Sequence, residues 1–135
     1  PDASTMKADS STMMRAESSV VSGYDLTGMG PKVVAFTTEK AAWALATTKT
    51  VVYFFTAGWC PTCQDAYKNI KANFKDLPED FVLVFVDYDK AKDLKKKYGV
   101  SYQHTFVSIG SKGEEKNTWS GSRTIDEIVR GAETM

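Results

Sequence analysis

Cys60 and Cys63 are the only cysteines of the 135-residue chain and stand three positions apart, in Trp59-Cys60-Pro61-Thr62-Cys63. Two thiols at this spacing can alternate between a dithiol and a disulfide while exchanging with another protein. A bridge closing so short a loop restricts the unfolded chain little, so its value is chemical, and a stapled disulfide scaffold is excluded. Pro61 suits the first turn of a helix, where a missing N–H is harmless, which puts Cys60 beside unpaired amides at the positive end of the helix dipole. That environment lowers a thiol pKa. With exposure, it makes Cys60 the expected nucleophile.

The elements that must position these thiols are legible on either side. Val51-Val52-Tyr53-Phe54-Phe55 is β-branched or aromatic without polar alternation, as in a strand buried on both faces of a mostly parallel sheet. Ala57 and Gly58 permit a tight turn, after which Cys63, Ala66, Tyr67, Ile70 and Phe74 recur at helical spacing. The pair therefore sits where a central strand feeds a helix.

With 17 basic and 17 acidic residues the formal net charge is zero, which argues against a nucleic-acid binder or a polybasic membrane-surface protein. No segment approaches transmembrane length. The chain opens at Pro1, so the lack of a signal peptide decides nothing about export. Residues 1–23 are rich in Ser, Thr, Met and Ala without an apolar period; they read as a flexible leader, a tether to a membrane anchor or signal region upstream of residue 1. Met6, Met13 and Met14 offer soft-metal ligands as the alternative use of that leader. Residues 24–135 form the folded domain.

Within it, Lys32 to Phe36 is a short strand, and Thr37 or Thr38 caps a helix that buries Ala41, Ala42, Trp43, Leu45 and Ala46. Phe81 to Val86 is a second apolar strand; Lys90 to Tyr98 is a lysine-rich helix closed by Gly99. Thr105 to Ile109 and Glu114 to Trp119 form a hairpin around Gly110 to Gly113, and Thr124-Ile125-Asp126-Glu127 is a capping box opening the last helix.

This order, β-α-β-α-β-α-β-β-α with Trp-Cys-x-x-Cys opening the second helix, resembles the thioredoxin fold, an α/β fold with a central mixed sheet flanked by helices. The resemblance covers Lys32 to Thr134 and includes Tyr98-Gly99-Val100 before the fourth strand. The Cys-Pro-Thr-Cys motif is similar to that of extracytoplasmic thiol-disulfide oxidoreductases of the cytochrome c maturation type. Three positions depart from the thioredoxin pattern. Phe54 stands where thioredoxins bury an acid that serves the second cysteine, and Phe85 where its lysine partner would be, so base assistance is absent or supplied elsewhere; Asp87 is a candidate substitute, although an acid at a strand's end is more often simply solvated. Tyr102-Gln103-His104-Thr105 replaces the stretch with the cis-proline that faces the cysteines, His104 taking the proline's place. A non-proline cis bond is costly, so the Gln103-His104 peptide is expected to be trans and the loop reshaped.

The resemblance implies a thiol-disulfide oxidoreductase needing no cofactor beyond a redox-active Cys60–Cys63 disulfide. Cys60 would attack, Cys63 resolve, and Trp59, Pro61, Thr62, Gln103 and His104 surround them. The partner would be a protein dithiol or disulfide, the protein a monomer, and its location periplasmic or secreted. A second reading makes Cys60, Cys63 and His104 a Zn(II) or Cu(I) binding or delivery site, and a third leaves an inert interaction module.

Overall fold

A computed structural model describes residues 20–133. Val20–Val21 (β1) and Tyr24–Asp25 (β2) form a small hairpin, followed by Val33–Ala35 (β3), Glu39–Ala46 (α1), Thr50–Thr56 (β4) and Pro61–Asn73 (α2). After a 3-10 turn at Phe74–Asp76 come Phe81–Asp87 (β5), Lys92–Tyr98 (α3), Thr105–Ile109 (β6), Glu115–Ser120 (β7) and Ile125–Glu133 (α4). The expected β-α-β-α-β-α-β-β-α order is present, preceded by the hairpin. Residues 1–19, with Met6, Met13 and Met14, lie outside the described residues. The boundary expected at residue 23 falls inside the hairpin, whose Val21 packs against the core.

The five-stranded sheet runs β3-β5-β4-β6-β7. β3 and β4 pair parallel with β5, whereas β6 pairs antiparallel with β4 and β7 with β6, so the sheet is mixed. Its middle strand is β4, where every residue from Val51 to Thr56 is buried. An unbroken apolar run is what such a position selects, since neither face meets water. Val52, Phe54, Leu83, Phe85 and Phe106 face one core, against Ala66 and Ile70 of α2 and Ile125 and Ile128 of α4. Val51, Tyr53, Phe55, Val84 and Val107 face the other, against Ala42 of α1 and Leu94 and Tyr98 of α3. Ala41 is exposed, not buried as its neighbours predicted.

Local chemistry fixes the ends of the elements. Thr38 Oγ1 accepts from Ala41 N at 3.1 Å to cap α1. Gly99, at φ +66°, ends α3 in the left-handed conformation that a Cβ would disfavour. Lys90 and Ala91 stay outside α3 because Asp87 closes a turn there, its Oδ1 accepting from Asp89 N at 2.9 Å and Lys90 N at 3.2 Å. At α4 half of the capping box forms: Thr124 Oγ1 accepts from Glu127 N at 3.1 Å, but Glu127 Oε1 accepts from Arg123 N, one residue before the expected partner.

Candidate active site

Cys60 is the N-cap of α2, with φ −93° and ψ 113°, and its Sγ accepts from Cys63 N at 3.2 Å. The thiol thus does what a Ser or Asp side chain does at this position, pairing with an orphan amide of the first turn. Pro61 occupies the first helical position. Both cysteines are free thiols. Cys60 is only 1% exposed and Cys63 0%, so the expected exposure of Cys60 is corrected: its activation comes from hydrogen-bond donors and the helix end. Burial would raise the Cys60 thiol, but hydrogen bonds from Cys63, Thr62 and the Gln103 side chain outweigh it and hold the group below its ordinary value. For Cys63 the balance is reversed, the lowering influence of Ala57 and Thr56 being too small to offset burial. Burial, with Cys60 adding to it, pushes its thiol up to about 11.

The polar wall in front of Cys60 comes from three separate parts of the chain. Thr62 Oγ1 lies 3.3 Å from Cys60 Sγ and 2.7 Å from His104 Nδ1, and the other ring nitrogen, Nε2, lies 2.7 Å from the Ser122 carbonyl. His104 is held rigidly for this. Its backbone sits at φ +64°, unusual for a residue with a Cβ; its N–H donates to Phe55 O at 2.8 Å, and its carbonyl accepts from Gly121 N at 3.2 Å. The ring packs beside Phe54 and Phe106, with centroids at 5.5 Å and 5.7 Å. Burial lowers the His104 pKa, the Ser122 bond works against that, and the Arg123 charge adds to the lowering. The Gln103-His104 peptide is trans, since among the described residues only Gly30-Pro31 is cis.

The wall behind Cys63 is aromatic. Phe54 stacks on Phe106 at 4.5 Å, Phe106 stacks on Trp119 at 5.5 Å, and Phe54 meets Phe85 edge-on at 5.1 Å. Tyr24 completes this wall from the N-terminal hairpin, its hydroxyl donating to Ala57 O at 2.9 Å. Burial, with Cys63 adding more than Cys60, pushes its phenol up to about 12. Thr56 Oγ1 is buried within reach of the Cys63 thiol and Tyr24 hydroxyl but closes no hydrogen bond. Asp87, the candidate substitute base, serves as the turn cap described above, in keeping with the non-catalytic reading of an acid at a strand's end. Sequence reading missed Tyr24, Thr56 and Ser122; Tyr24 and Ser122 reach the site through contacts distant in the chain, and Thr56 from the buried end of β4.

Gly58 explains how the hairpin reaches so far. A Cβ there would lie 2.6 Å from Ser22 O, so only glycine lets the hairpin backbone close on the turn before Cys60. Trp59 is 57% exposed, its Nε1 donating to Asp89 Oδ2 at 2.9 Å. Tyr102, also exposed, stands at the start of the His104 loop.

One donor atom from each of Cys60, Cys63 and His104 lies within 4.8 Å of the others, close enough for the expected metal set to be examined. Three donors do not close a tetrahedral zinc site, and Thr62 and Ser122 already engage both imidazole nitrogens. The arrangement fits thiol chemistry better than ligation.

A five-stranded mixed sheet flanked by four helices, with a dithiol capping the helix after its central strand, defines a redox-active thioredoxin-fold domain. The thioredoxin family profile matches residues 32–134, and the chain belongs to that family. It is 33% identical over 99 residues to Thioredoxin H3 of Arabidopsis thaliana, an alignment covering 71% of this chain and 79% of that one. It is 37% identical over 87 residues to a probable protein disulfide-isomerase A6 of Medicago sativa, covering 61% of this chain but spanning about a quarter (23%) of that longer relative. The solved thioredoxin NaTrxh of Nicotiana alata superposes with a TM-score of 0.60 at 25% identity, covering 73% of this chain and 88% of that one. Together with the Cys-x-x-Cys motif, these similarities support thiol-disulfide oxidoreductase chemistry in general.

Proposed function

We propose that the protein exchanges a disulfide with a partner protein, Cys60 attacking and Cys63 resolving the mixed disulfide. The observation that carries this reading is the opposite treatment of the two thiols: Cys60 is held below its ordinary pKa by hydrogen-bond donors, and Cys63 is pushed up to about 11 by burial. An attacking thiolate and a protonated resolving thiol are the states the first step needs. The named relatives, a thioredoxin and a protein disulfide-isomerase, support the same chemistry. The exposed aromatic side chains of Trp59 and Tyr102 flank the motif as contacts for the partner. His104 at the place of the family's cis-proline belongs to this reading, and distinguishes its loop from that of other thioredoxins. The Cys-Pro-Thr-Cys motif and the Ser/Thr-rich leader support an extracytoplasmic location for a monomeric, tethered domain.

A Cys63→Ser variant incubated with its native extract should accumulate a mixed disulfide through Cys60, its mass giving that of the partner, whereas Cys60→Ser should accumulate none. Alkylation of both cysteines at equal rates, with an unshifted midpoint near pH 8.5 for Cys60, would remove the reading. So would retention of Zn(II) or Cu(I) by the purified reduced protein with loss of exchange activity.

A further inference from the structure

The hydrogen atoms along the Cys60–Thr62–His104–Ser122 chain can be counted, and the count is restrictive. A carbonyl only accepts, so His104 Nε2, 2.7 Å from Ser122 O, carries a proton. In the neutral ring Nδ1 is then a bare acceptor, and the group 2.7 Å from it is the Thr62 hydroxyl, which donates. Thr62 has one hydroxyl hydrogen. With that hydrogen committed to His104, Thr62 Oγ1 can only accept from Cys60 Sγ across their 3.3 Å contact, so the thiol is the donor. Every group in this neutral arrangement is satisfied.

A second arrangement is equally complete. Cys60 is a thiolate accepting from the Thr62 hydroxyl, Thr62 Oγ1 accepts from Nδ1–H of an imidazolium, and Nε2–H still donates to Ser122. It differs from the first by two short proton shifts along existing hydrogen bonds, with no heavy atom moved. Ionising Cys60 while His104 stays neutral is the poorer state, because thiolate and Nδ1 then compete for a single hydroxyl hydrogen.

We infer that Thr62 and His104 are the proton acceptor for Cys60, the hydroxyl passing the thiol proton to the imidazole as the thiolate forms. The S–H bond of Cys60 breaks and its proton goes to Thr62 Oγ1, while the original Thr62 proton goes to His104 Nδ1. The electron pair stays on sulfur, so nothing is oxidised until that sulfur attacks the partner's disulfide. This rests on Cys60 being the attacking thiol. It adds what that reading lacks, a group to take the proton in a site whose Phe54 and Phe85 leave no buried carboxylate.

The surroundings limit which other charges can interfere. On α2 the titratable neighbours are Cys60 itself and Cys63, whose raised pKa keeps it neutral near pH 7. From the segment before α4 comes Arg123, which disfavours an isolated imidazolium and is itself 3.9 Å from Asp65. From the hairpin comes Tyr24, protonated throughout this range. β4 and β6 present Phe54 and Phe106 to the ring. An imidazolium here therefore depends on the Cys60 thiolate as its counter-charge, and the pair should titrate as a coupled unit with two macroscopic steps.

His104 is the only histidine of the chain, so its ring protons give an unambiguous NMR signal. In the reduced wild type, thiolate absorbance of Cys60 and the His104 ring shift, followed against pH, should each show both macroscopic steps. Thr62→Val keeps the shape but removes the bridge. Each probe should then show a single step, and the Cys60 midpoint should rise by about one unit, slowing its alkylation about tenfold below that midpoint. Thr62→Ser restores a hydroxyl and should restore the two-step curves. Identical curves for wild type and Thr62→Val, or a single His104 step in the wild type, would overturn the relay while leaving Cys60 as nucleophile. A Cys60 that titrates at the unperturbed value and alkylates no faster than Cys63 would instead sink the underlying oxidoreductase reading.

Discussion

The two walls of the dithiol site are built on opposite principles. In front of Cys60 stands a line of hydrogen-bonding groups: Thr62 bridges sulfur and imidazole at 3.3 Å and 2.7 Å, and the Cys63 amide donates at 3.2 Å. Behind Cys63 stands a stacked aromatic layer, with a tyrosine hydroxyl that points to a backbone carbonyl. Two thiols separated by one helical turn are thereby driven in opposite directions, although their exposure is almost the same. The difference teaches that burial alone does not decide which thiol is held lower. Donor supply does, since desolvation raises both thiols and hydrogen bonds rescue only one.

The comparison can be broken from the aromatic side first. Phe85 is fully buried and touches Phe54, Tyr24 and Tyr67, so Phe85→Ala should lower stability by about 3–5 kcal/mol, measured by urea denaturation. Phe85 makes no ring contact with His104, and the pH midpoint of Cys60 alkylation should stay where it is; a midpoint that moves with Phe85 would show that the walls are not independent.

The next test uses pH. The folded state holds the Cys63 thiol protonated up to about 11, whereas the unfolded chain ionises it near about 8.5. Folding therefore retains a proton that the unfolded chain releases. Stability contributed by this group is complete below about pH 8.5 and disappears as the pH rises to about 11. Denaturation midpoints of the reduced protein should fall across that window, and Cys63→Ala should lose this component. Cys60 has the opposite sign: its lowered pKa contributes above the unfolded value and is lost as the pH falls through the folded one.

Smaller effects sharpen the contrast. Tyr24→Phe removes one buried hydroxyl and its bond to Ala57 O, and should cost about 1 kcal/mol while raising the reactivity of neither cysteine. Trp59→Phe removes an exposed indole–carboxylate bond to Asp89 and should change stability by no more than about 0.5 kcal/mol. Its effect, if the proposed partner contact is right, belongs to the rate with a protein substrate and not to a small disulfide; equal rates for wild type and variant with both substrates would exclude Trp59 as a contact.

What the sequence disclosed and what it withheld divide along the same line. β4, the cap at Cys60 and Pro61, and the buried stripe of α2 are written in neighbouring residues, through apolar runs, cap chemistry and helical spacing. The aromatic wall was half visible, because Phe54 and Phe85 lie in strands whose placement follows from the order of elements. Long-range closures were not. Thr62 meets His104 across 42 positions and Tyr24 meets Ala57 across 33, and no local period encodes either contact. The hairpin itself escaped notice since its strands are two residues each, too short to show alternation. Asp87 was left open for a related reason: an acid at a strand end is compatible with catalysis and with closing a turn, and the turn amides of Asp89 and Lys90 claimed it.

The contact between Ser22 and Gly58 also has a mechanical side. The hairpin holds itself by a ladder of two residues per strand, yet its backbone is seated directly on the turn that precedes Cys60. Tension applied to the chain upstream of residue 20 would reach this seat before it reached the five-stranded sheet. The two-residue ladder, loaded from one end, would part by peeling, one pair at a time. The first buried group such a pull would draw out is Tyr24, leaving the sheet intact but uncovering the space behind Cys63. A domain held by its N-terminal end would thus carry a two-residue seam beside its paired sulfurs.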